Sequence, residues 1–222
     1  MSQTAYQTIQ SRIRAAAPAN NVTLVAVSKT RSPAEIRALA EQGQRVFGEN
    51  YVQEALAKQA ELADLGLQWH LIGHLQSNKC KEAAAAFDWV DSIDRPKLLA
   101  ALNRFRASQR RPPLNLLIQV NIDDESSKSG CRPDQVMALA ERARGCEFLR
   151  LRGLMAIPAP GAAEQRVLAF QRMRALFAQL TARWPEIDTL SMGMSDDFEL
   201  ALAHGATQVR IGTALFGPRT AD

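Results

Sequence analysis

Short apolar runs rich in Val, Ile and Leu recur along this chain, and each gives way to a longer stretch in which Ala and Leu fall three or four positions apart. The first pattern is that of strands buried on both faces, the second that of amphipathic helices. The runs predict eight strands, at residues 23–28, 45–47, 68–72, 89–93, 114–122, 150–155, 189–192 and 208–211. Tyr6, Ile9 and Ile13 stand at helical spacing ahead of the first strand, so an extra N-terminal helix is expected there, ending near Pro18 and Asn20. Helices are expected between the strands, for example at 33–42 and 133–143, each opening on a proline suited to a first turn. Strict alternation of strand and helix over 222 residues predicts an α/β chain folded as a single (β/α)8 TIM barrel domain spanning 1–222. An open, doubly wound sheet is the competing architecture, because periodicity cannot show closure.

Strand phase assigns faces. Val25, Val27 and Lys29 share one face, and Arg210 and Gly212 share another, opposite Val209 and Ile211. If the odd positions of the first strand point inward, Lys29 stands at the C-terminal mouth, where barrel proteins keep their sites.

Composition narrows the class. At 46% hydrophobic residues the chain can bury one sizeable core, and no apolar run approaches a membrane span. With no secretory apolar region at the N-terminus, a soluble, cytoplasmic protein is expected. Three cysteines, Cys80, Cys131 and Cys146, share no C-x-x-C spacing and read as reduced thiols rather than a disulfide frame or a zinc site. The net charge of +4 is dispersed, without a basic block or interleaved aromatics, which argues against nucleic-acid binding and is compatible with a small anionic ligand.

The candidate chemistry sits at the two ends of the chain. Lys29 closes the run Leu24-Val25-Ala26-Val27-Ser28, and an amine beside an apolar wall loses solvation, which lowers its pKa and favours the nucleophilic neutral form. The alternative is a lysine that snorkels from the strand end into water. Ser191-Met192-Gly193-Met194-Ser195 and Arg210-Ile211-Gly212-Thr213 supply turns after the last two strands, where barrels often build a phosphate cup from backbone N–H groups and hydroxyls. Ser195, Gly212 and Thr213 fall in those turns, with Ser195 also placed to cap a helix. Asp196 and Asp197 would repel a phosphate unless they point away.

Ala26-Val27-Ser28-Lys29-Thr30, Phe47-Gly48-Glu49-Asn50-Tyr51-Val52-Gln53-Glu54, Trp69-His70-Leu71-Ile72-Gly73, Leu75-Gln76-Ser77-Asn78-Lys79, Ser127-Lys128-Ser129-Gly130 and Leu190-Ser191-Met192-Gly193-Met194-Ser195 together resemble the pyridoxal phosphate homeostasis protein family, nearly end to end. That resemblance implies a barrel like the N-terminal domain of alanine racemase, with pyridoxal 5′-phosphate (PLP) as cofactor. It implies that Lys29 is the Schiff-base lysine holding PLP as an aldimine, that Arg210 meets the pyridine nitrogen, and that Ser195 with Gly212 and Thr213 holds the phosphate. A guanidinium stays protonated and only donates, so a ring nitrogen facing it must remain unprotonated, a weaker electron sink than one paired with a carboxylate. A structural ion pair is the other use for such an arginine.

Asn50 shares a face with Gly48 and either reaches the cofactor's phenolic oxygen or serves as a turn or cap residue. His70 and His74 have one phase but lack a third metal ligand, so packing or supporting roles are expected and no metal site; His204 precedes Gly205 at an ordinary helix end. Glu49 and Glu54 read either as acid–base groups or as a solvated first helical turn, and Lys128 as part of a loop at the mouth. Cys80-Lys81 and Ala83 to Ala86 depart from the family's usual helix, which puts a partner surface there in doubt.

Racemases of this fold draw a second acid–base tyrosine from a further β domain, and this chain closes at Asp222 with Tyr6 and Tyr51 as its tyrosines. The expected role is therefore a non-catalytic carrier and buffer of PLP in PLP (vitamin B6) homeostasis, with PLP-dependent apo-enzymes as expected recipients and a monomeric state for want of the racemase dimer contact. A small PLP-dependent racemase, or a barrel enzyme using Lys29 without PLP, are the alternatives.

Overall fold

The computed structural model describes residues 3–19, 21–125, 129–159 and 161–218. Eight parallel strands close on themselves in chain order, β1 (Thr23–Val27), β2 (Val46–Glu49), β3 (Gln68–Leu71), β4 (Trp89–Ile93), β5 (Leu114–Gln119), β6 (Leu149–Met155), β7 (Thr189–Ser191) and β8 (Gln208–Ile211). The closure rests on the pairing of β1 with β8, in which Val25 stands opposite Arg210. The open-sheet alternative is thereby set aside.

Helices cover the outside. α1 (Ala5–Ala16) precedes the barrel and starts on a capping box in which Thr4 and Gln7 satisfy each other's backbone N–H. α2 (Pro33–Glu41) uses the same device through Ser32 and Glu35, with Pro33 in its first turn. They are followed by α3 (Val52–Glu61), α4 (Cys80–Ala86), α5 (Pro96–Ala107), α6 (Val136–Arg144), α7 (Ala163–Arg183), α8 (Phe198–Ala203) and α9 (Thr213–Phe216). Of the unusual residues of α4, Cys80, Ala83 and Ala84 are fully buried, whereas Lys81 and Ala85 lie on its exposed face.

Two strand boundaries differ from the sequence pattern by more than one residue. β2 runs on to Glu49 because Gly48 and Glu49 pair with His70 and Leu71, and inter-strand pairing overrides the poor strand propensity of both residues. β5 stops at Gln119, short of the apolar run that continues to Ile122, and only a lone bridge from Val120 to Cys131 follows.

Apolar side chains fill the layer between strands and helices, including Leu24, Ala26, Phe47, Leu71, Val209 and Ile211 from the strands and Ile36, Leu102 and Phe170 from the helices. The barrel's own interior is different. A small cluster of Trp89, Leu117 and Met155 shares it with buried His70, Asp91, Ser191, Gln208 and Arg210. Gln208 on β8 bonds Asp91 on β4, strands that are not neighbours, so these side chains meet across the lumen. Among the described residues no helix is long and apolar enough to cross a membrane.

Candidate functional site

At the C-terminal mouth two adjoining hollows, of about 330 and 230 Å³, share Val27, Lys29, Met194 and Arg210. The face assignment from strand phase holds: Lys29 continues the inward phase of Val25 and Val27 and lines the cleft. A larger hollow of about 530 Å³ lies outside the barrel beside Ile122, Arg132, Arg172 and Leu176 and carries none of the candidate residues. The mouth is where the chemistry gathers.

The turn carrying Lys29 is held from behind. Thr30 has a φ of 63°, a left-handed conformation that costs a threonine about 1–2 kcal/mol. Its backbone N–H donates to Glu54 Oε1 at 2.5 Å, while Lys58 Nζ donates to the Ser28 carbonyl at 2.7 Å. Those two bonds bracket Lys29 in the chain. Lys58 Nζ also donates to Glu49 Oε1 at 2.8 Å and Glu54 Oε1 at 2.7 Å, and Ser28 Oγ donates to Glu49 Oε1 at 2.6 Å. Neither Glu49 nor Glu54 lines the cleft; Glu49 is completely buried, while Glu54 is a partly solvated residue in the first turn of α3. Both pair with Lys58: Glu54 from four residues earlier on α3, a spacing visible in the sequence, and Glu49 only because α3 packs on β2, which local periodicity could not reveal. Burial pushes the Glu49 carboxyl above its ordinary value, against the bonds from Lys58 and Ser28 that pull it down.

On β8, the strand next to β1, Arg210 is 3% exposed and lines both hollows. Its Nη1 donates to Ser191 Oγ at 2.5 Å and its Nη2 to the Ala156 carbonyl at 2.8 Å. Burial pulls its pKa down to about 10, partly offset by Asp91 and Asp197, so at neutral pH it remains a cation that only donates. Asn50 lines the larger-volume hollow beside Gly73, Gln119 and Ile157. Gly73 is there for closeness: a side-chain carbon on it would stand 2.2 Å from the Asn50 carbonyl oxygen.

Ser195, Gly212 and Thr213 line the other hollow, together with Arg31 and Asp196. Ser195 does not cap α8, whose N-cap is Asp197; its Oγ instead accepts from the Ala214 N–H at 3.4 Å, joining the two turns of the cup. Asp197 turns back and accepts from the Met194 N–H at 2.7 Å, whereas Asp196 does face the hollow, exposed to solvent. Arg31, which the sequence reading passed over, supplies a compensating cation. Its guanidinium is held by the Gly217 carbonyl and by Glu35 at 3.2 Å, and packs 5.5 Å over the Phe216 ring. Its phase, two residues beyond Lys29, was the available signal.

The two histidines separate. His74 lines the mouth, 3.2 Å from Ser129 Oγ, while His70 is buried in the lumen, bonded to Asp91 and stacked on Trp89 at 4.9 Å. Among the described residues no group of three or more His, Cys, Asp or Glu side chains is placed to hold a metal ion. His204 closes α8 ahead of Gly205, as its context suggested. Lys128 lies outside the described residues. Cys80, Cys131 and Cys146 are free thiols, and burial pushes that of Cys131 up to about 12.

Fold and cleft together define a class: a parallel barrel with a lysine at its first strand end, a buried arginine on the neighbouring last strand and a hydroxyl-lined hollow beside both. Residues 5–220 match the family model of the alanine racemase N-terminal domain. The chain is 53% identical over 218 residues to the pyridoxal phosphate homeostasis protein of Pseudomonas aeruginosa, covering 95% of this chain and 93% of that one. It is 51% identical over 202 residues to the protein of the same name from Escherichia coli K12, covering 89% and 86%. The chain belongs to the pyridoxal phosphate homeostasis proteins, within the alanine racemase N-terminal domain family. Among solved structures, PipY of Synechococcus elongatus with PLP bound is similar at a TM-score of 0.85 and 40% identity, over 97% of this chain and 100% of that one. Alanine racemase from Corynebacterium glutamicum, at 16% identity and a TM-score of 0.69, covers 96% of this chain and 61% of its own and shares the fold.

Proposed function

We propose that this protein holds PLP in the mouth cleft, attached covalently to Lys29, and serves intracellular PLP homeostasis as a carrier. The observation that carries the reading is the convergence of Lys29 and the buried Arg210 on the same two hollows. The donor set fits the cofactor group by group. An amine suits the aldehyde, a guanidinium that only donates suits an unprotonated ring nitrogen, and the hydroxyls of Ser195 and Thr213 with the Arg31 cation suit a phosphate. Asn50, which lines the same hollow as Lys29, suits the phenolic oxygen as a hydrogen-bond partner. PLP, when bound, supplies an electrophilic aldehyde and an electron-withdrawing ring.

Lys29, in its neutral form, would be the residue that holds PLP covalently through its aldehyde, both amine hydrogens leaving with the aldehyde oxygen as water. Arg210, by donating only, keeps the ring a weak electron sink, which favours holding over turnover. Neither Tyr6 nor Tyr51 lines the cleft, so no tyrosine of the described chain stands ready to move a substrate proton opposite Lys29. The relatives named for PLP homeostasis and the PLP-bound PipY structure support the same reading. Delivery to PLP-dependent apo-enzymes by a monomer in the cytoplasm extends it.

The deciding experiment is borohydride reduction of protein incubated with PLP, followed by peptide mass mapping. The pyridoxyl mass is expected on the peptide containing Lys29 and lost in Lys29→Ala while the variant stays folded; label on another lysine would refute the attachment. A racemase reading has one observation in its favour, His74 at the cleft wall. It requires α-deuterium exchange of amino acids in heavy water, and the carrier reading expects none above the rate of free PLP.

A further inference from the structure

The lumen of a (β/α)8 barrel is ordinarily packed with branched apolar side chains. Here a chain of hydrogen bonds runs down it from Arg210. Ser191 Oγ accepts from Arg210 Nη1 at 2.5 Å and from Gln208 Nε2 at 3.0 Å. The same Gln208 nitrogen gives its other hydrogen to Asp91 Oδ2 at 2.8 Å, and the Asp91 carboxylate also meets His70 Nδ1 at 3.1 and 3.2 Å. Asp91 and His70 are completely buried, and Gln208 is 1% exposed. At its far end the chain reaches a separate polar hollow of about 260 Å³ at the opposite mouth, lined by His70, Trp89, Arg152, Asp188 and Gln208 among others.

Two features of this chain exceed what packing needs. A buried carboxylate and a buried guanidinium in one lumen would normally close into a direct ion pair, which best offsets their lost hydration. In this barrel Gln208 and Ser191 stand between them. Asp91 thus balances the charge of Arg210 without drawing the guanidinium down into the lumen. Gln208 is suited to the spacer position because both hydrogens of one amide nitrogen are used, one on each acceptor, and that fixes the side chain's orientation.

We infer that Gln208 and Asp91 are positioning residues for Arg210, holding its guanidinium at the height where its remaining N–H groups face a ring nitrogen in the cleft. The inference rests on the PLP reading above and adds a second layer to it. A glutamate at position 208 would set two acceptors against Asp91 and break the chain more severely than leucine. Asn at 91 keeps an acceptor for Gln208 and removes the countercharge.

The test compares PLP with its analogue in which the ring nitrogen is replaced by carbon, which leaves the aldehyde, phenol and phosphate in place. Equilibrium dissociation constants are measured for the wild-type protein and for Gln208→Leu, Gln208→Glu and Asp91→Asn, with near-ultraviolet circular dichroism confirming the fold. Gln208→Leu is expected to weaken PLP about tenfold and the carbon analogue less than twofold, since only PLP depends on a correctly placed Arg210. Gln208→Glu should lose more, and Asp91→Asn should show the same selectivity for PLP at smaller size. A role confined to folding would lower the affinity for both ligands equally. Equal losses, or no loss for either ligand, overturn the inference while leaving PLP binding intact. If Gln208→Leu does not fold, Asp91→Asn carries the comparison. A wild-type protein that forms no borohydride-reducible adduct with PLP overturns the cofactor reading itself, and the positioning role with it.

Discussion

Replacing Lys58 by methionine is the sharpest test of how the Lys29 turn is held. Methionine keeps most of the side chain's volume and removes the ammonium alone. In the folded protein that ammonium contacts Glu49 Oε1 at 2.8 Å, where Glu49 is completely buried, and Glu54 Oε1 at 2.7 Å, where the carboxylate side chain is 25% exposed. At an effective dielectric of about 20, unit charges 2.8 Å apart attract by about 6 kcal/mol before desolvation is counted. Removing one member of such a buried pair typically costs about 3–5 kcal/mol, because the other charge is left stranded or must take up a proton. Glu54 adds little, since water screens it. We expect Lys58→Met to destabilise the protein by about 3–5 kcal/mol in urea unfolding at neutral pH. The double variant Glu49→Gln/Lys58→Met should cost clearly less than the sum of the singles, as both charges then vanish together. The rate at which Lys29 is trapped by PLP and borohydride should also fall, because the Ser28 carbonyl and the Thr30 N–H lose their common anchor. A single-variant cost under about 1 kcal/mol, or strict additivity in the cycle, would refute the reasoning.

Other perturbations follow from the same geometry. Glu49, whose carboxyl is raised by burial, holds its proton more tightly folded than unfolded, so it contributes a loss of stability as pH rises from the ordinary value of 4.5 towards the raised one. Thermal melts of wild type and Glu49→Gln across that window should differ in slope, the variant lacking this decline; parallel curves would contradict it. Gly73→Ala places a carbon 2.2 Å from the Asn50 carbonyl, a backbone atom that cannot yield cheaply, and should cost about 1–3 kcal/mol in stability as well as PLP affinity. Ser195→Ala with Thr213→Val should weaken PLP at least tenfold and leave pyridoxal, which lacks the phosphate, within about twofold. Titration by absorbance measures both, and equal effects on the two ligands would remove these hydroxyls from the phosphate site.

How much of this was legible in the chain can be judged from particular residues. The eight strands, the inward phase of Val25, Val27 and Lys29, and the two turns at Ser195 and Gly212 follow from local pattern, because strand alternation has a period of two and needs no partner to be read. Closure into a barrel was decided only by the pairing of β1 with β8, a contact between the two ends of the chain. The Lys58–Glu49 pair and the Gln208–Asp91 chain were likewise invisible. In sequence Lys58 is a surface-like helical lysine, and His70, Asp91 and Gln208 are polar residues in otherwise apolar strands. Burying a charge is tolerable only when a partner meets it, and those partners, Glu49 for Lys58 and Gln208 for Asp91, come from elements brought together by folding. Local periodicity therefore determined which side chains face the lumen, and the tertiary structure alone decided which of them are paired there.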